Sequence, residues 1–164
     1  MRQKYKLVAR DIYSLHLIIM ENLHDILKKQ GYKKIKFKLS VTQHLLIKGK
    51  VNGVEGNFIL DTGASNSCVG FESIPHFALT AADSATTAAG AGGTGMVTQT
   101  SEKNTLKLGH WNTNDFALVI FDMSHVNEAL RQYKAKPVDG IIGADILLKG
   151  KAIIDYHNHL LYLK

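Results

Sequence analysis

Asp61 stands where an apolar run meets a turn, in Phe58-Ile59-Leu60-Asp61-Thr62-Gly63-Ala64-Ser65. Three large apolar residues read as a buried strand, and the acid, hydroxyl and small residues after them read as a tight turn at its end. A carboxylate delivered by a buried strand is rarely found without a partner or a task, and its chemistry is to take and give a proton. Against this stands the plainer reading of Asp-Thr-Gly as good turn chemistry for an exposed acid. A second run, Val138-Asp139-Gly140-Ile141-Ile142-Gly143-Ala144-Asp145-Ile146-Leu147, sets two β-branched residues before a glycine and then a short helical start.

Other constellations are weaker in context. Gly90, Gly92 and Gly95 satisfy the spacing G-x-G-x-x-G, with Asp115 20 residues beyond Gly95. That fingerprint should leave a buried strand and open a helix, whereas here it leads into the strand-like Met96–Thr100. His157 and His159 are the only close pair among 8 histidines and lack a third ligand, so no metal is expected. Cys68 has no adjacent base and reads as a small core residue. Asp145 reads as a cap on the helix it opens, and Asp155 as a structural residue before a turn.

The elements that must position these residues come from periodicity. Ile35, Phe37, Leu39 and Val41 alternate with polar neighbours as one buried strand face. A hairpin follows, Leu45–Val51 and Val54–Leu60, around Asn52-Gly53, a dipeptide that accepts positive φ at both turn positions. Further short strands are expected at Thr105–Leu108, Phe116–Phe121, Val138–Ile142, Ala152–Tyr156 and Leu160–Leu163. Helices are expected at Ser124–Tyr133 and for about a turn from Ala144. Thr80–Gly95, rich in Ala, Gly, Thr and Ser, reads as a loop within one domain. At the N-terminus two readings stay open: a helix over Asp11–Lys29 with Ile12, Leu15, Ile19, Leu23 and Ile26 on one face, or a shorter one capped by Asn22, with Met20 as the start. Short strands at regular intervals suit a mainly β barrel or sandwich.

Composition narrows the classes. The chain of 164 residues and 18.1 kDa is one ordinary domain, with 45% hydrophobic and 21% charged residues. Its lone cysteine excludes a disulfide scaffold and fits a reducing compartment, so the cytoplasm is the expected location. The apolar run Leu15–Met20 is too short and polar for a signal peptide or a membrane span. The formal charge of +6 is concentrated between Lys28 and Lys50, which hold 8 lysines and no acid. Lys34, Lys36 and Lys38 alternate as a solvated strand face without arginines or aromatics suited to bases, so neither nucleic acid nor membrane is expected as a partner.

Taken together, hydrophobic–Asp-Thr-Gly-Ala followed about 80 residues later by Ile-Ile-Gly resembles the retropepsin-like aspartic proteases. The hairpin through Lys48–Gly53, a glycine-rich segment where that family carries its flap, and the closing runs Ile153–Tyr156 and Leu160–Leu163 fall in the family's order. Gly143-Ala144-Asp145-Ile146-Leu147 extends the likeness to bacterial stand-alone members, which carry Gly-x-Asp-x-Leu there. The resemblance covers about residues 35–164 and leaves 1–34 as an N-terminal helical extension. It implies a mainly β, pepsin-type closed barrel with a short C-terminal helix. It also implies an aspartic endopeptidase without cofactor, built as a homodimer in which Asp61 of each copy shares a proton and activates water on a peptide or protein substrate. By the same resemblance Thr62 bonds across the dimer axis, Gly63 and Ala64 shape the turn, Ile141, Ile142 and Gly143 support it, and Gly90, Gly92, Gly93 and Gly95 belong to a flap. The alternative is a module that keeps this fold and binds peptides without hydrolysing them. Two departures stand out. The interval between the motifs is long, with extra length in Thr80–Gly95 and Ser124–Tyr133, and Ala144-Asp145 occupies the place of a retroviral Arg-Asn pair.

Overall fold

The computed structural model describes residues 22–84, 88–90 and 93–164. The chain divides into two compact units, Met1–Tyr32 and Lys33–Lys164. In the first, the described element is α1 (Leu23–Lys29), where Asn22 Oδ1 accepts a hydrogen bond from Asp25 N at 3.1 Å. Asn22 therefore caps a short helix, as one of the two readings has it, and Gly31 follows it at φ +91°. Ile12, Leu15, Ile19 and Met20 lie outside the described residues.

The second unit runs β1 (Lys33–Lys36), β2 (Lys38–Leu39), β3 (Leu45–Val51), β4 (Val54–Leu60), β5 (Cys68–Gly70), α2 (Ser73–His76), β6 (Ala82–Asp83), β7 (Ala88–Gly90) and β8 (Gly93–Met96). It continues with β9 (Gln99–Leu108), β10 (Trp111–Phe121), α3 (Ser124–Gln132), β11 (Gly140–Ile142), α4 (Ala144–Lys149), β12 (Ile153–Asp155) and β13 (Leu160–Leu163). The main sheet has the order β2-β3-β4-β11-β5-β10-β9-β6. Because β3 also pairs with β9, through Lys50–Lys107 and Val51–Leu106, the strands β3-β4-β11-β5-β10-β9 close into a six-stranded barrel. A separate sheet, β1-β13-β12, sets Ile35 opposite Leu161. The barrel interior is filled by side chains such as Phe58, Val69, Leu106, Leu118 and Ile142, all essentially inaccessible to solvent.

The Asn-Gly hairpin forms with the expected ends. Asn52 and Gly53 take φ of +50° and +85°, and the Asn52 side chain donates to Phe77 O and Asn104 Oδ1 and accepts from Thr105 N.

Three expectations are corrected. Leu39 and Val41 do not share the buried face of Ile35 and Phe37. The chain leaves that strand at Phe37, whose N–H bonds His159 O, and reverses at Ser40, whose N–H bonds His44 O, leaving Val41 76% exposed. The strands at Thr105–Leu108 and Phe116–Phe121 are the ends of longer ones, β9 and β10. The segment Thr80–Gly95 holds β6, which pairs with β9, and a small antiparallel hairpin, β7–β8, with Gly90 opposite Gly93.

Candidate active site

The Asp61 turn is built by two strands lying in parallel. β4 pairs with β11 in the register Phe58–Gly140, Ile59–Ile141 and Leu60–Ile142, and Asp61 N extends the ladder by donating to Ile142 O at 3.0 Å. Asp139 begins this pairing: its N–H donates to Asn57 O at 2.8 Å while its carboxylate accepts from Asn57 N at 2.7 Å. Gly140 must be glycine, because a Cβ there would stand 2.3 Å from Cys68 O on the neighbouring β5.

Beyond β4 the chain turns on the carboxylate itself. Asp61 Oδ1 accepts from Gly63 N at 2.8 Å and Asp61 O from Ala64 N at 3.4 Å. The half-buried carboxylate is thereby oriented by backbone, a geometry of local side-chain-to-backbone bonding that short acids favour. Thr62 is exposed on the turn, and among the described residues its hydroxyl has no hydrogen-bond partner.

The second motif closes on the first. Ala144 N donates to Ala64 O at 2.7 Å and Asp145 N to Ser65 O at 3.3 Å, so the first turn of α4 grips the loop after Asp61. Gly143 permits this approach: a Cβ on it would lie 2.7 Å from Asn66 C and 2.8 Å from Ala64 O. The structure thus brings Asp61, Thr62, Gly63 and Ala64 together with Ile141, Ile142 and Gly143. The hairpin glycines form a sheet of their own: Gly90 and Gly93 face each other, Gly95 is exposed at φ +73°, and Gly92 lies outside the described residues.

Asp145 departs from its expected capping role. Gly143 occupies the N-cap position without a side-chain bond, and the Asp145 carboxylate, two residues inside, accepts instead from Ser67 Oγ at 2.7 Å. Ser67 and Asp139 are the two site residues that pattern reading missed. A serine in Asn66-Ser67-Cys68 looks like loop composition, and Asp139 looks like turn composition ahead of Gly140-Ile141-Ile142. Cys68 is buried as expected, and that burial pushes its thiol up to about 12, aided by the negative Asp145 and Asp61 nearby and opposed by a hydrogen bond from the Ile141 backbone.

A six-stranded closed barrel whose parallel strand pair ends in an Asp-Thr-Gly turn defines the retropepsin-like fold, and solved structures agree. The chain is similar to a retropepsin-like aspartic protease from Rickettsia conorii, with 20% identity, 80% of this chain and 90% of that one covered, and a TM-score of 0.52. It is likewise similar to the EIAV protease complexed with the inhibitor HBY-793, with 20% identity, coverage of 72% and 98%, and a TM-score of 0.53. No curated protein sequence matches it. The family described as aspartyl protease matches residues 47–146, more than half of the chain and both halves of the site. The chain belongs to the aspartyl protease family and is an aspartic endopeptidase, a hydrolase. Among the described residues, no helix is long and apolar enough to cross a membrane.

Proposed function

We propose that this protein cleaves peptide bonds as a homodimer whose two Asp61 turns meet at a two-fold axis. The observation that carries the reading is the Asp61 turn itself. Each chain builds one complete turn, with one carboxylate oriented by Gly63 N and the Thr62 hydroxyl left exposed and without a partner among the described residues.

Two such carboxylates brought face to face cannot both ionise, so the pair holds one proton between them and titrates as a unit. The ionised member takes a proton from a water bound between them, and that water attacks the peptide carbonyl. The protonated member donates to the carbonyl oxygen. As the C–N bond of the tetrahedral intermediate breaks, the nitrogen takes the proton that the first carboxylate received from water and the second carboxylate takes one back from a hydroxyl, so that the pair again holds one proton. Thr62 serves as a bond across the axis, and the β7–β8 hairpin, which holds Gly90, Gly93 and Gly95, as the flap that closes over an extended peptide. The lone cysteine fits a reducing cytoplasm.

Sedimentation across a concentration series, a peptide-library digest and a subunit-mixing titration test this. Wild type should sediment near twice 18.1 kDa and cut peptides. Asp61→Asn should stay folded and dimeric, cut nothing, and poison wild type on mixing. A monomer that cleaves, or cleavage by Asp61→Asn, overturns the shared site. Peptides bound but uncut by wild type would identify a binding module instead.

A further inference from the structure

Ser67 is fully buried six residues past Asp61, and its hydroxyl makes two bonds. It donates to Asp145 Oδ1 at 2.7 Å and accepts from Gly143 N at 3.0 Å. Their direction is fixed by chemistry: the peptide N–H of Gly143 can only donate, so the single hydroxyl proton goes to the carboxylate. One side chain therefore ties the far end of the loop to both Gly143 and the first turn of α4. The near end is tied by Asp61 N to Ile142 O, and the middle by Ala144 N to Ala64 O and Asp145 N to Ser65 O. The segment from Asp61 to Ser67 is thus fastened at both ends and in its middle to four consecutive residues, 142–145.

We infer that Ser67 and Asp145 are positioning residues for the Asp61 carboxylate, fixing where the turn stands without touching substrate. The inference rests on the endopeptidase reading of Asp61. A carboxylate held to a fraction of an ångström matters to proton transfer and water attack far more than to peptide binding. Loss of the tether therefore falls on kcat. Ser67→Ala leaves a buried peptide N–H and a carboxylate oxygen unpaired. Ser67→Thr retains the hydroxyl. Asp145→Asn retains an acceptor oxygen, whereas Asp145→Leu removes it.

The test uses the full chain and a peptide cut by wild type, below the melting temperature of every variant, with amide hydrogen exchange read at Gly63 and Gly143. Ser67→Ala and Asp145→Leu should lower kcat on the order of 10- to 100-fold with KM within about twofold. Ser67→Thr and Asp145→Asn should recover most of the loss, and the Gly63 amide should exchange faster only in the two damaging variants. A lowered melting temperature with unchanged kcat and unchanged Gly63 exchange overturns the inference, as does a loss confined to KM. If wild type cuts no peptide the endopeptidase reading fails by itself, and Gly63 exchange still decides the tether: protection unchanged in Ser67→Ala overturns it, and protection lost supports it.

Discussion

Asn127 and Val138 hydrogen-bond each other in both directions: Val138 N donates to Asn127 Oδ1 at 2.9 Å, and Asn127 Nδ2 donates to Val138 O at 3.1 Å. Both residues are buried, so one amide side chain fastens α3 to the residue that leads into β11. The same helix packs Leu130 and Val126 with Met123 against Ile59 and Ile141, the face two residues back from Asp61. Asn127→Ala strands two buried backbone groups and should cost about 2–4 kcal/mol, read as a fall in urea midpoint. Asn127→Asp keeps the acceptor for Val138 N but turns a buried carboxylate oxygen on Val138 O, so its midpoint should fall at least as far. An unchanged midpoint for the alanine variant would mean that α3 is not held by this pair.

Gly63 and Gly143 should respond differently to a methyl group. Gly143→Ala drives Cβ into backbone atoms at 2.7 and 2.8 Å, which cannot swing away, so a loss of about 1–3 kcal/mol accompanies any loss of activity. Gly63→Ala meets only Asp61 Oδ1, at 3.2 Å. That variant should melt close to wild type yet turn over more slowly, because the displaced atom is the carboxylate. Equal melting losses in the two variants would contradict the geometry.

Cys68 should resist a thiol reagent such as DTNB at neutral pH until the protein unfolds, because the buried thiol is held protonated. The sign for stability follows from its raised pKa. Below the ordinary value of 9.0 the thiol is protonated in both states, and between 9.0 and about 12 only the unfolded chain loses the proton. Stability is therefore full below pH 9 and declines through that alkaline window. Cys68→Ala should show a shallower alkaline decline in urea titrations at pH 8 and 10. A parallel decline in both proteins would assign it to other groups.

Much of this fold is legible because alternation and turn chemistry agree. Leu45–Val51 carries its buried residues at every second position, Val54–Leu60 alternates until it ends in the buried run Phe58-Ile59-Leu60, and Asn52-Gly53 takes the positive φ its composition allows. Ser124–Gln132 ends within a residue of its expected limit. What escapes reading has physical causes. β5 has three residues, all buried, so it has no period to detect. In β9 Ser101 and Asn104 are buried, and Asn104 Nδ2 bonds Ser101 O at 3.0 Å and Phe116 O at 3.3 Å. Polar residues paired inside a core look like solvent-facing ones in sequence. In the site, both motifs are visible as strings, but the Ser67–Asp145 bond joins residues 78 apart in sequence, and no local pattern reports it.

The parallel seating of β4 on β11 also sets the order in which the site comes into being. Asn57 and Asp139 are 82 residues apart in the chain, and Asp61 N finds its partner, Ile142 O, only when the strand that Asp139 begins is present. A nascent chain on the ribosome carries the Asp-Thr-Gly tripeptide long before it carries the strand that seats it. Such a chain, or one cut short before Asp139, has the acid without its scaffold. The turn can therefore be seated on its partner strand only once the segment from Asp139 to Asp145 has been made.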